Sequence, residues 1–182
     1  AWAVVQLLGE EGYLELAREV FEATDKIAAG VEEIPGLRLM AQPDSTLVTI
    51  VTDETCDPFT ITDEMLERDW YVQPQLTYGE HPANIHLSIS AATLAHVDDF
   101  LAALADSVRA AVAAGPVQVD PGVAAYVESL DPASITEEDF DGLLAAAGLV
   151  GGGDEGGEAG GLALPARKAD INALLDVASP RL

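Results

Sequence analysis

Positive charge is what this sequence has least of. Eight Lys and Arg stand against 32 Asp and Glu, a formal net charge of −24. Nucleic acids and anionic membrane surfaces repel such a field, so neither is expected as a partner. Lysine is scarcer still, with Lys26 and Lys168 as the only two, so any chemistry that needs an amine has few candidates. The single cysteine, Cys56, excludes a disulfide within the chain and fits a reducing cytoplasm. No apolar run approaches the roughly 20 residues of a membrane-spanning helix. No signal peptide opens the chain. The first residues, Ala1 to Leu8, lack both a starting methionine and a helix N-cap. They read as a helix entered in the middle, and the chain is expected to be part of a longer polypeptide.

What is present is apolar material with clear periodicity. Hydrophobic residues make up 49% of 182, enough for one domain of ordinary size plus an appendage. The acid excess reads as a solubility adaptation. The stretch Trp70 to Ser90 organises the rest. Trp70-Tyr71-Val72 has the aromatic and β-branched character of a strand. Pro74 removes a donor and discourages a regular central strand. Gly79 and Pro82 mark a turn. From Asn84, apolar Ile85, Leu87 and Ile89 alternate with Asn84, His86, Ser88 and Ser90, the signature of a strand with one polar face.

Around this hairpin the elements fall in order. A short apolar helix at 2–8 is interrupted at Gly9-Glu10-Glu11-Gly12. A longer one carries Leu14, Ala17, Phe21, Thr24, Ala28 and Val31 on one stripe and stops at Pro35-Gly36. Leu37 to Met40 and Leu47 to Val51 are strands. Thr62 is placed to cap a short helix over Asp63 to Arg68. A long helix runs from about Leu94 to Ala114. The fold class expected is α/β in the broad sense, an α+β small domain with a mostly antiparallel sheet packed against helices, followed by a helical C-terminal tail. The divisions are 1–115 for the small domain, 116–150 for a helical extension, 151–161 for a Gly-rich flexible linker and 162–182 for a terminal helix. In the extension, helices are expected over 121–130 and 135–149, with Ser134 and Glu137 in capping-box spacing.

The residues that could carry chemistry are few. His81, His86 and His96 share no metal-ligand spacing with one another or with Cys56. Glu137, Glu138, Asp139 and Asp141 lack the alternating oxygen ligands and central glycine of a calcium loop. Asp53, Glu54 and Asp57 surround Cys56 and disfavour its thiolate. Ser45, Ser88 and Ser90 sit in no nucleophile elbow, and the Gly-rich linker is no phosphate loop. No catalytic, cofactor-binding or metal-binding residue is therefore assigned. Tyr71, Gln73, Gln75 and Tyr78 form an amphipathic polar cluster and remain as candidates to line a pocket.

One resemblance joins these pieces. The run Ala1 to Thr52, followed by Asp63-Glu64-Met65-Leu66-Glu67-Arg68-Asp69-Trp70-Tyr71-Val72-Gln73-Pro74-Gln75-Leu76 and Pro82-Ala83-Asn84-Ile85-His86-Leu87-Ser88-Ile89-Ser90-Ala91-Ala92-Thr93, resembles the C-terminal region of sphingosine-1-phosphate lyases and group II decarboxylase-like enzymes. These are pyridoxal-phosphate enzymes of fold type I. The likeness includes the Gly-Glu-x-Gly-Tyr motif at Gly9 to Tyr13 and extends into the tail at Ala124-Ala125-Tyr126. It implies a homodimeric, cytoplasmic carbon–carbon lyase or amino-acid decarboxylase acting on a small amino substrate. It also implies that an upstream large domain holds pyridoxal phosphate on a lysine that neither Lys26 nor Lys168 matches. That domain supplies the electron sink, and this portion shapes the substrate entrance, with Gln73, Gln75, Tyr78, His81 and His86 as the entrance candidates. On this reading the chain alone is inactive. The alternative is a stand-alone acidic binding or regulatory module that uses the hairpin edge as a partner surface.

Overall fold

The computed structural model describes residues 2–129, 136–138, 142 and 167–178. Helix α1 (Trp2–Glu32) is broken at Gly9, whose φ of 61° and ψ of −171° lie outside the helical region. A residue without a Cβ takes up that backbone at little steric cost. The break opens the Gly-Glu-Glu-Gly interruption seen in the sequence. Burial starts only late in α1, at Ala23, Thr24, Ile27, Ala28 and Val31.

Strands β1 (Leu37–Leu39) and β2 (Leu47–Thr52) follow, then helix α2 (Pro58–Leu66) and strands β3 (Gln73–Gln75) and β4 (Asn84–Ser88). A 3-10 turn at Ala91–His96 leads into helix α3 (Val97–Ala114). The tail adds helices α4 (Pro121–Ser129) and α5 (Lys168–Ala178). The helix expected over 135–149, with its Ser134 cap, and the linker at 151–161 lie outside the described residues, apart from 136–138 and 142.

The four strands form one antiparallel sheet in the order β1-β2-β4-β3. Register aligns Leu39 with Ile50, Ile50 with Ile85, and Val48 with Leu87. These residues share one face, because strand side chains alternate with period 2. Against that face pack Ile27 and Val31 of α1, Met65 of α2, and Phe100, Leu104 and Val108 of α3 in a single buried cluster. This is the α+β layer arrangement expected from the hydrophobic pattern. The C-terminal helix closes a second, smaller cluster in which Ala169 and Ala173 pack with Phe59, and Leu76, Ala83, Val117 and Val119 border it.

Two elements depart from the sequence reading. Helix α2 starts at Pro58, not Asp63, because Asp57 caps it. The Asp57 Oδ1 accepts from the Thr60 amide at 2.8 Å, and Pro58 fills the first helical position, where a missing N–H costs nothing. Strand β3 is Gln73–Gln75 and not Trp70-Tyr71-Val72. Asp69 closes α2 in the left-handed region at φ 64°, and the Trp70 amide bonds back to the Met65 carbonyl at 2.9 Å. This turn aims Trp70 inward, edge-on to Phe100 with ring centroids 5.3 Å apart. The aromatic character at Trp70 thus serves the core. Pro74 is tolerated in β3 because that strand lies at the sheet edge.

Asp57 does more than cap. Its Oδ2 accepts from the Thr60 hydroxyl at 2.9 Å and from the Val117 amide at 3.0 Å, tying the segment after α3 to the start of α2. Asp57→Ala is expected to lower the unfolding free energy by about 1–3 kcal/mol, from a lost cap and a lost charge-assisted bond. Urea unfolding followed by circular dichroism checks this, and a change within about 0.3 kcal/mol would contradict it.

Candidate functional site

The five entrance candidates separate into a strand pair and a loop. Gln73 stands opposite His86 in the β3–β4 register, and His86 stands opposite Thr49 in the β2–β4 register. Thr49, His86 and Gln73 therefore form one polar row across the sheet, on the face turned away from the core. Gln75 is opposite Asn84, which is buried and donates through Nδ2 to the Pro82 carbonyl at 3.0 Å. His86 is partly buried in an inner strand, which holds it rigidly.

Tyr78 and His81 belong to the loop tip. Their amides and carbonyls bond reciprocally, both at 3.0 Å, around Gly79 and Glu80. Gly79 has a φ of +58°, the positive value that a tight hairpin needs at its first central residue. Both side chains point to solvent, Tyr78 with 79% of its surface exposed. The fold thus brings Gln73 and His86 together and leaves Tyr78 and His81 at the loop tip.

Beside β3 lie two shallow, joined clefts that involve residues the sequence reading left aside. One, of about 230 Å³, is lined by Thr62, Asp63, Tyr71, Gln73, Lys168 and Asn172 among others. The other, of about 350 Å³, is lined by Asp63, Glu64, Leu66, Glu67, Arg167 and Lys168. Two of the eight basic residues, Arg167 and Lys168, are thereby brought to the flank of the hairpin, where the sequence places only Arg68 nearby. No local signal could have announced this, since Lys168 is far along the chain from Gln73.

Neither lysine fits covalent attachment of pyridoxal phosphate. A lysine that attacks a carbonyl needs its ammonium pKa lowered by burial or a neighbouring cation. Lys26 lies on exposed helix surface in an ion pair with Glu22 at 2.7 Å, and the hydrogen bond and charge of Glu22 raise its pKa instead. Lys168 opens α5 on the surface, in clefts that also hold Asp63, Glu64 and Glu67. Among the described residues no group of three His, Cys, Asp or Glu is placed to hold a metal ion. No helix among them is long and apolar enough to cross a membrane.

Cys56 is buried beneath the turn that precedes α2. Burial raises its thiol pKa, the charges of Asp53 and Asp57 add to this, and a hydrogen bond with Thr55 opposes it. Asp53 itself is held below the usual carboxylate range by the Thr55 hydroxyl and amide. A thiol raised in the folded state stabilises the fold below its unfolded value of about 8.5, and that contribution is lost as pH climbs through the folded value. The urea midpoint is therefore expected to fall above about pH 8.5, and to fall less in Cys56→Ala. An equal fall in both proteins would contradict the assignment.

Comparison with known proteins finds relatives for these features. Residues 121–182 match the family model described as "Pyridoxal-dependent enzyme, C-terminal putative HTH domain". The sphingosine-1-phosphate lyase of Arabidopsis thaliana is 35% identical over 124 residues, covering 68% of this chain and 22% of that protein. The "Probable L-aspartate decarboxylase" of Thermococcus gammatolerans is 28% identical over 108 residues, covering 59% of this chain and 26% of that protein. The solved sphingosine-1-phosphate lyase of Burkholderia pseudomallei superposes with a TM-score of 0.54 at 26% identity, covering 62% of this chain and 24% of that one. The chain thus spans about a quarter or less of the length of these relatives. In sequence the chain is similar to sphingosine-1-phosphate lyases and to a probable L-aspartate decarboxylase, in fold to a solved sphingosine-1-phosphate lyase, and in its tail to the C-terminal domain of pyridoxal-dependent enzymes.

Proposed function

We propose that this chain is the C-terminal portion of a pyridoxal-phosphate-dependent carbon–carbon lyase or amino-acid decarboxylase. One observation carries the reading. The lyase-like stretch, 35% identical over 124 residues, and the match to the C-terminal domain model occur together on one chain. In this reading an upstream large domain binds the cofactor, the parent enzyme is a cytoplasmic homodimer, and its substrate is a small amino compound. Residues 1–115 form its small domain and residues 116–182 its tail.

The surface of α1 supports a neighbouring domain. Before Ala23 the helix exposes Trp2, Val4, Val5, Leu7, Leu14 and Phe21, with Leu7 84% and Trp2 76% exposed. So many large apolar groups along one element mark a contact surface more often than a free one. In this reading Gln73, Gln75 and His86 on the outer face of the sheet, with Tyr78 and His81 at the loop tip, border a pocket completed by the large domain. The clefts beside β3 carry Lys168 and Arg167, but three carboxylates share their walls. A phosphate-bearing long-chain base gains little there, so an amino acid is an equal competitor as substrate.

The test has two arms. The full-length protein, loaded with pyridoxal phosphate, is expected to cleave either a long-chain base phosphate or an amino acid, and turnover of neither would overturn the reading. The 182-residue chain mixed with pyridoxal phosphate and treated with borohydride is expected to carry no label on Lys26 or Lys168. A stoichiometric label that disappears in Lys26→Ala or Lys168→Ala would show that the chain holds the cofactor itself.

A further inference from the structure

The geometry points to Asp176 as a positioning residue through which the C-terminal helix clamps the β3–β4 loop. The Asp176 Oδ1 accepts from the Thr77 amide at 2.5 Å, and its Oδ2 accepts from the Thr77 hydroxyl at 3.0 Å. The same hydroxyl accepts from the Ala83 amide at 3.2 Å. One carboxylate thus fixes Thr77, and Thr77 fixes Ala83, so both ends of the segment carrying Tyr78 and His81 are held from a helix 99 residues further along the chain.

The helix that supplies Asp176 is anchored elsewhere. At its start the Ala169 amide donates to Asp63 Oδ2 of α2 at 2.8 Å. Ala169 and Ala173 are buried against Phe59. Asp176 lies seven positions after Ala169, about 10 Å along the helix, so α5 bridges α2 to the loop. The position of Asp176 is poor for the helix itself. It lies near the C-terminal end of Lys168–Ala178, where the macrodipole disfavours negative charge. An alanine there would suit the helix better on both propensity and dipole grounds. The carboxylate is therefore accounted for by its bonds to Thr77, not by any service to α5.

This inference rests on the reading that the loop borders the substrate entrance, and it makes the tail a determinant of how that entrance is shaped. Hydrogen exchange by mass spectrometry on the full chain separates the two claims. In Asp176→Ala, exchange of the segment 77–83 is expected to rise about tenfold or more, while α5 keeps its protection. In Asp176→Asn, whose Oδ1 still accepts from the Thr77 amide, the rise is expected to stay within about threefold. Loop exchange unchanged in Asp176→Ala, or α5 unprotected in both variants, overturns the clamp. Should Asp176→Ala lose its circular dichroism signal, Thr77→Val removes the hydroxyl bridge alone and is expected to free the Ala83 amide; unchanged exchange there overturns the clamp equally. In the full-length enzyme, Asp176→Ala is expected to raise KM several-fold with kcat within about twofold. A loosened loop with KM unchanged keeps the clamp and overturns the entrance reading; a raised KM without a loosened loop overturns the clamp.

Discussion

The constraint on which this structure depends is its shortage of cations. With 32 acidic and eight basic residues, most carboxylates can have no ionic partner. The ion pairs found among the described residues are all local, three or four positions apart: Arg18 with Glu15, Lys26 with Glu22, Arg68 with Glu64, and Arg109 with Asp106. Pairs at such spacing are worth a few tenths of a kcal/mol and join nothing distant. Among the described residues, three carboxylates reach across the fold to accept backbone N–H groups. Asp57 holds Val117, Asp63 holds Ala169, and Asp176 holds Thr77. A backbone amide is available at every non-proline residue, so a chain poor in cations can still satisfy a carboxylate at chosen places.

These three bonds also explain how the tail relates to the sheet domain. Each joins a residue of the tail to the body: one at the segment after α3, one at the first turn of α5, one near its end. Between them sits the small cluster around Phe59, Ala169 and Ala173, which supplies apolar contact but little area. Among the described residues, the larger core beneath the sheet includes none from the tail. The sheet domain therefore has its own reason to fold, while α5 is positioned by a few directional bonds and the small apolar cluster. A loop held from the tail is a natural consequence of that division.

Much of the sheet domain was legible in the sequence. The alternation from Asn84 to Ser90 gave β4 and its buried face, and the β-branched run at Leu47 gave β2, because period-2 burial is a local property. The break at Gly9 and the end of α1 before Gly36 were equally local. The misplacement of β3 has a physical source: Trp70 has the propensity of a strand residue, but the left-handed turn at Asp69 sends it into the core against Phe100. The true start of α2 was also written locally, as Asp57 followed by Pro58, but the cap at Thr62 competed with it. What could not be read was the candidate site as a unit. Gln73 and His86 become neighbours only through register, and Lys168 reaches their flank only after α5 docks. The residues that join Asp63 to Ala169 and Thr77 to Asp176 are 106 and 99 positions apart, and no periodicity reports such pairs.

If the described residues are tied across the fold by carboxylate-to-amide bonds and not by ion pairs between elements, added salt has repulsion to screen and no tertiary attraction among them to weaken. The most direct measurement is the thermal midpoint of the chain as NaCl is raised from about 0.05 to 0.5 M, over which the screening length falls from more than 10 Å to less than 5 Å. The account expects the midpoint to rise as the self-repulsion of a −24 chain is screened. A midpoint that falls with salt would show that ion pairs between elements hold the structure, and would contradict it.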